Sequence, residues 1–180
     1  MTATSDRYNA LAADFDTRVQ GTKDWNVSTP CEGWTARDIA VHVANNLSGL
    51  AATANGGEPT PVGADDDVVA AWSSARQALH DVLLDPAKAS ATVQSPFGPM
   101  PVEDMVGRIM CSDILVHTWD LARATGQDET LNAEAVEGTY SGLKPMDAMI
   151  RQPGIFGPKV TPPAGADMQT EMLCFLGRAV

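Results

Sequence analysis

The chain has 180 residues, 44% of them hydrophobic, and a formal charge of −11, a size that suits one domain with a buried core. Its twelve lysines and arginines are scattered; no basic stripe exists for a nucleic acid or an anionic membrane, and the negative field would repel phosphate. The opening MTATSDRYNA lacks the basic and apolar regions of a signal peptide, and no apolar run reaches bilayer length, so a cytoplasmic protein without nucleic-acid or membrane partners is expected.

Tyr8, Leu11, Ala12, Phe15 and Val19 recur at three- and four-residue spacings, which predicts a first helix from about Ser5 to Val19, broken at Gly21. The connection GTKDWNVSTPCEGW carries Gly, Pro and two tryptophans, and is expected to be ordered, with Trp25 or Trp34 tucked against the helices. Thr35 with Asp38 three residues on makes a capping box in which Asp replaces Glu, and Ile39, Val43, Leu47 and Leu50 carry helix two to about Ala54. The acidic run NGGEPTPVGADDD reads as a solvated loop whose last aspartates cap the next helix. Helix three uses Val68, Val69, Trp72, Ala75, Leu79 and Val82 or Leu83, and ends at Asp85-Pro86.

Thr92-Val93-Gln94 and the Pro-Phe-Gly-Pro turn predict a small extended excursion. From about Val102, a fourth and most apolar helix runs through Met105, Ile109, Met110, Ile114, Leu115, Val116 and Leu121 to the Thr125-Gly126 stop signal. A further helix from Leu131 or Asn132 to about Ile150 is weakened by Gly142 and Pro145. RQPGIFGPKVTPPAGAD reads as a surface crossing, and Met168 to Leu176 as a short last helix that Gly177 ends. The expected fold class is all-α, with four principal helices, long crossover loops and minor extended segments, in a single domain over residues 1–180.

The chemistry-bearing stretch is SDILVHTWDL. Asp113 and His117 are four apart and share one helix face. His42, on helix two, sits at the edge of the apolar stripe. One histidine opposite a carboxylate-x-x-x-His pair gives three ligands, the number that leaves a coordination position open. The same spacing also describes an ordinary Asp113–His117 pair without metal, and His42 also fits a satisfied core histidine; the pattern leaves both readings open. Asp120 either orients His117 or is exposed and paired with Arg123.

His80, late on helix three, is read as structural. Cys31, Cys111 and Cys174 form no C-x-x-C pair, which excludes a zinc ribbon or disulfide scaffold. Cys31 is read as a small hydrophobe rather than a reactive thiol, and the other two as core. The tryptophans are read as core and loop anchors, with Trp119 near enough to His117 to wall a pocket. G-x-S-x-G, Walker-type and G-x-G-x-x-G patterns are absent, which leaves metal chemistry as the remaining chemical reading.

The segments STPCEGWTARDIAVHVANN, DILVHTWDLARATGQ, FGPKV and FLGRAV, in this order and across nearly the whole chain, resemble the actinobacterial metal-binding proteins related to mycothiol-dependent maleylpyruvate isomerase, a group within the DinB-like superfamily. The resemblance implies an up-down-down-up four-helix bundle with a divalent metal held by three side chains at one end. The family's first histidine, after the C-x-G-W turn, falls on His42. Its acidic-x-x-x-His pair falls on Asp113 and His117, where the isomerase carries Glu in place of Asp113. The isomerase also has an additional carboxy-terminal domain, whereas this sequence ends at Val180 after FLGR.

By the same resemblance, the protein is a metal-dependent thiol (mycothiol-type) S-transferase or isomerase acting on a small-molecule substrate or thiol. Zinc is the expected ion, and nickel, manganese and iron are also compatible with two nitrogens and one oxygen. A non-catalytic metal- or small-ligand-binding bundle and a metal-free bundle used for dimerisation are the alternatives, and a homodimer fits each of them.

Overall fold

The computed structural model describes residues 2–95, 98–152 and 154–180. Pro96 and Phe97 of the expected Pro-Phe-Gly-Pro turn, and Pro153 of the expected surface crossing, lie outside the described residues. The chain is mostly helical, and its helices start where short polar side chains satisfy the free N–H groups of the first turn. Thr2 caps α1 (Ala3–Gly21) in a reciprocal capping box with Ser5, so the helix starts before the position its apolar pattern predicts. The expected box of Thr35 and Asp38 opens α2 (Ala36–Ala54), and Asp67 caps α3 (Val68–Leu84). Asp85-Pro86 ends α3 as expected and also starts a further turn. Asp85 caps α4 (Pro86–Ala89), and Pro86 stands in the first turn, where its missing N–H costs nothing.

The extended excursion is an antiparallel hairpin of β1 (Thr92–Ser95) and β2 (Gly98–Pro101), with Thr92 opposite Pro101 and Ser95 opposite Gly98. The predicted fourth helix is continuous in direction but not in type. It begins as α5 (Val102–Met105), widens into a π turn over Val106–Met110, and resumes as α6 (Cys111–Thr125). A π turn takes in one extra residue and disturbs the carbonyl ladder; the Gly107 carbonyl accepts from the Arg7 guanidinium of α1. Gly126, at φ 67°, closes α6.

The helix expected to reach Ile150 is divided at Pro145. It consists of α7 (Ala133–Leu143), a 3₁₀ turn over Lys144–Met146, and α8 (Asp147–Ile150). The last helix is α9 (Met168–Phe175), followed by Gly177 at φ 88°.

Helix α2 packs against α3 and α6, and α1 packs against α6 and α3, so the four long helices enclose one core. Tyr8, Phe15, Ile39, Leu47, Trp72 and Trp119 are fully buried there, each burial worth about 1.5–3 kcal/mol. Two of the aromatics have their polar ends matched: Trp72 Nε1 donates to Asp16 at 2.9 Å, and the Tyr8 hydroxyl donates to the Arg76 carbonyl at 3.0 Å, whereas the buried Trp119 Nε1 has no hydrogen-bond partner among the described residues. Met172 and Leu173 of the last helix and Leu176 at its C-cap join the same core. Among the described residues, no helix is long and apolar enough to cross a membrane.

Candidate metal centre

Packing of α2 against α6 brings His42, Asp113 and His117 together. Their ligand atoms lie within 4.8 Å of one another. Asp113 Oδ1 is 3.4 Å from His42 Nε2 and 3.4 Å from His117 Nε2. Zinc arms of about 2.0–2.1 Å at the tetrahedral angle would separate neighbouring donors by about 3.3–3.4 Å. The donor set and its spacing therefore fit a divalent cation.

Three further residues shape this side of the site. Asn46, one turn beyond His42 on α2, donates to Asp113 Oδ2 at 3.1 Å and places the same amide nitrogen 3.0 Å from His42 Nε2. The Trp34 ring stacks on His117 with centroids 5.9 Å apart and tilts against His42 at 5.0 Å. Trp34, rather than Trp119, walls the histidines; Trp119 is buried in the core with Arg123 over its ring. Gly33 delivers Trp34 to that place: Trp34 N–H donates to the Cys31 carbonyl at 3.0 Å across a turn in which Gly33 has φ 78°, a conformation that glycine adopts without strain. Thr29 ties the turn down by accepting from Cys31 N–H and donating its hydroxyl to the Trp34 carbonyl.

The other face of His117 is closed. Asp120 is fully buried, and its Oδ2 lies 2.9 Å from His117 Nδ1. Arg178 donates to Asp120 through Nη2 at 2.8 Å and Nε at 3.2 Å. The reading of Asp120 as exposed and paired with Arg123 is thereby corrected, since Arg123 pairs with Glu129 instead. Cys31 is half-buried among polar groups rather than a simple hydrophobe: its Sγ is 3.4 Å from Asp120 Oδ2 and 3.4 Å from Arg178 Nη2. Cys31, His117 and Asp120 also converge tightly enough to suggest a second ion site. The guanidinium of Arg178 already supplies the positive charge there. His80 stands apart, paired with Asn9 at 2.9 Å, as expected of a structural residue.

Burial works against every charge in this cluster, and the pairings overcome it. Burial raises the Asp113 carboxyl, but the His117 charge and hydrogen bonds from both histidines hold it well below the usual carboxylate range. Burial lowers the His117 imidazole, yet Asp113, followed by the bonds to Asp120 and Cys31, pushes it well above the ordinary histidine value. Burial also raises Asp120, while bonds from His117 and Arg178 bring it down to about 2. An ionised Asp120 only accepts, so the proton between it and His117 sits on Nδ1 and Nε2 is the atom turned toward Asp113.

Beside the triad lies an open groove of about 310 Å³, lined among others by Asn45, Asn46, Gly49, Thr53, Gln94 and Met105. Asn46 belongs to both the groove wall and the triad. Asn46, Trp34 and Arg178 were not singled out as functional in the sequence. Asn46 had a weak signal in its four-residue spacing from His42, and Trp34 in the glycine turn before it. A lone arginine near the end of a chain carries no periodic signal.

Two imidazoles and a carboxylate gathered on packed helices define a helical protein with a candidate metal centre. The chain matches the family described as mycothiol maleylpyruvate isomerase N-terminal domain over residues 8–122, which include all three triad residues. Two uncharacterized proteins from two strains of Mycobacterium tuberculosis are each 32% identical to it over 154 residues, covering 84% of this chain and 84% of theirs. No solved structure matches it. The chain belongs to the mycothiol maleylpyruvate isomerase N-terminal domain family.

Proposed function

We propose that His42, Asp113 and His117 hold a divalent cation, zinc first among the candidates, and that the protein is a metal-dependent thiol S-transferase or isomerase. The observation that carries this reading is the convergence of two imidazole Nε2 atoms on one carboxylate oxygen at 3.4 Å each, beside an open groove. A bound divalent cation would stabilise a thiolate over its thiol, which supplies a nucleophile near neutral pH.

The chain's own residues do the rest. Asp113 contributes the negative charge of the ligand set, and Asn46 fixes its second oxygen. Trp34 covers the two imidazoles and limits the approach of water. Asn45, Asn46, Gly49, Thr53, Gln94 and Met105 give the groove hydrogen-bonding and apolar surface without a charged side chain among them, which suits the uncharged body of a small thiol or its conjugate. The family membership supports a mycothiol-type cosubstrate.

The same reading takes residues 1–180 as one cytoplasmic domain, with α1, α2, α3 and α6 as the up-down-down-up bundle. Its support is the closed ring of contacts among those helices.

Elemental analysis of tag-free protein, purified without added metal, tests the proposal beside His117→Ala and Asp113→Ala. Wild type should hold about one divalent ion per chain and both variants should lose it. A wild-type protein that is metal-free and takes up neither zinc nor nickel would overturn the metal reading and the thiol chemistry with it.

A further inference from the structure

Arg178 lies after the last helix, beyond the 8–122 span of the family match. An arginine normally keeps its guanidinium in water, where its charge costs nothing. Here it is only 8% exposed. The backbone drives it inward: Gly177 turns the chain at φ 88°, and a Cβ there would lie 2.9 Å from the Pro158 carbonyl oxygen. Arg178 N–H donates to the Leu173 carbonyl at 2.9 Å, and its Nη1 donates to the Leu176 carbonyl at 2.9 Å.

The guanidinium then grips Asp120 with two donors, Nε on Oδ1 and Nη2 on Oδ2. That fork fixes the plane of the carboxylate. Oδ2 is also the atom that accepts from His117 Nδ1, so the plane of the carboxylate sets the tilt of the ring. We infer that Arg178 is a positioning residue of the site: through Asp120, the carboxy-terminal tail holds the His117 ring with Nε2 aimed at Asp113 and His42.

A tie that merely fastened the tail would affect unfolding alone. A positioning role reaches the imidazole, and the outer partners of a ligating histidine typically change metal affinity about 10–100-fold. Only the affinity arm of the test rests on the metal reading of His117.

The experiment compares wild type with Arg178→Lys and Arg178→Gln by zinc titration and by proton NMR of the His117 Nδ1–H, assigned through its loss in His117→Ala. The Lys variant retains the charge without the fork and serves as the decisive case should the Gln variant not fold. The expected result is zinc affinity about tenfold weaker in Arg178→Lys, with its His117 ring proton shifted or broadened by exchange and His42 signals little changed. Wild-type zinc affinity together with an unmoved His117 ring proton in Arg178→Lys would overturn the inference, even with a lower melting temperature. Should wild type bind no zinc, the metal reading falls, and the ring proton alone decides the role of Arg178.

Discussion

His117 has a carboxylate at each ring nitrogen, and the two sides are finished differently. On the Nε2 side, Asp113 is about one-fifth exposed and faces the imidazoles of His42 and His117. On the Nδ1 side, Asp120 is fully buried and a guanidinium completes its charge balance. The closed side is an internal ion pair that is satisfied as it stands; the open side gathers donors around one carboxylate, whose partner Asn46 also lines the groove. Residue types alone do not separate a structural carboxylate from a ligand. The partner across from it does.

The largest expected effect falls on the closed side. Asp120→Ala strands Arg178 as an unpaired buried cation, which should cost about 3–5 kcal/mol in urea denaturation. Asp113→Ala, measured on metal-free protein, should cost less than Asp120→Ala, because that carboxylate is partly solvated and its loss leaves His117 still bonded to Asp120. Equal losses would erase the distinction between the two sides.

Next come the two glycines that deliver a residue to each side. Gly177→Ala combines a left-handed backbone with a clash against the Pro158 carbonyl, and should cost at least about 2 kcal/mol. Gly33→Ala has a left-handed backbone but open space for its Cβ, and should cost about 1–2 kcal/mol, with a change in Trp34 fluorescence. Chemical denaturation of both variants checks the order, and a costlier Gly33→Ala would contradict it.

The smallest effect concerns the cap of the helix that bears His42. Hydrogen bonds from Thr35 hold the Asp38 carboxyl below its ordinary value. Its contribution to stability is therefore full above the unfolded carboxylate pKa of about 4 and is lost as pH falls through the lower folded value. Asp38→Asn should flatten the acid limb of the stability curve, and melting temperatures across pH 2–6 on either side of about 4 would show whether it does.

Much of this was legible in the sequence because it is local. The Thr35–Asp38 box, the apolar repeats of the long helices and the Asp113–His117 spacing are all set within a turn or two of chain. Asp120 was legible only as a choice, since a residue three after a histidine faces either the ring or the solvent. What settles it is Arg178, 58 positions away. Placing His42 opposite the pair likewise depends on how α2 packs on α6, which the resemblance implied and periodicity did not. The π turn left no trace, because Met105, Ile109 and Met110 fit an unbroken apolar face equally well.

That wide turn has a consequence for how the chain tolerates change. One residue advances a helix by about 100°, so the surplus residue in Val106–Met110 sets the phase between α5 and everything after it. Removing one residue there would let the ladder close as ordinary α-helix, with Asp113 and His117 swung a quarter-turn or more away from α2, or with α5 pulled off its seat against α1. The residue count between Met105 and Asp113 is thus as much a property of the candidate site as the identity of its side chains, and a relative with an ordinary α-helical turn there would have to present its carboxylate from a different position in the chain.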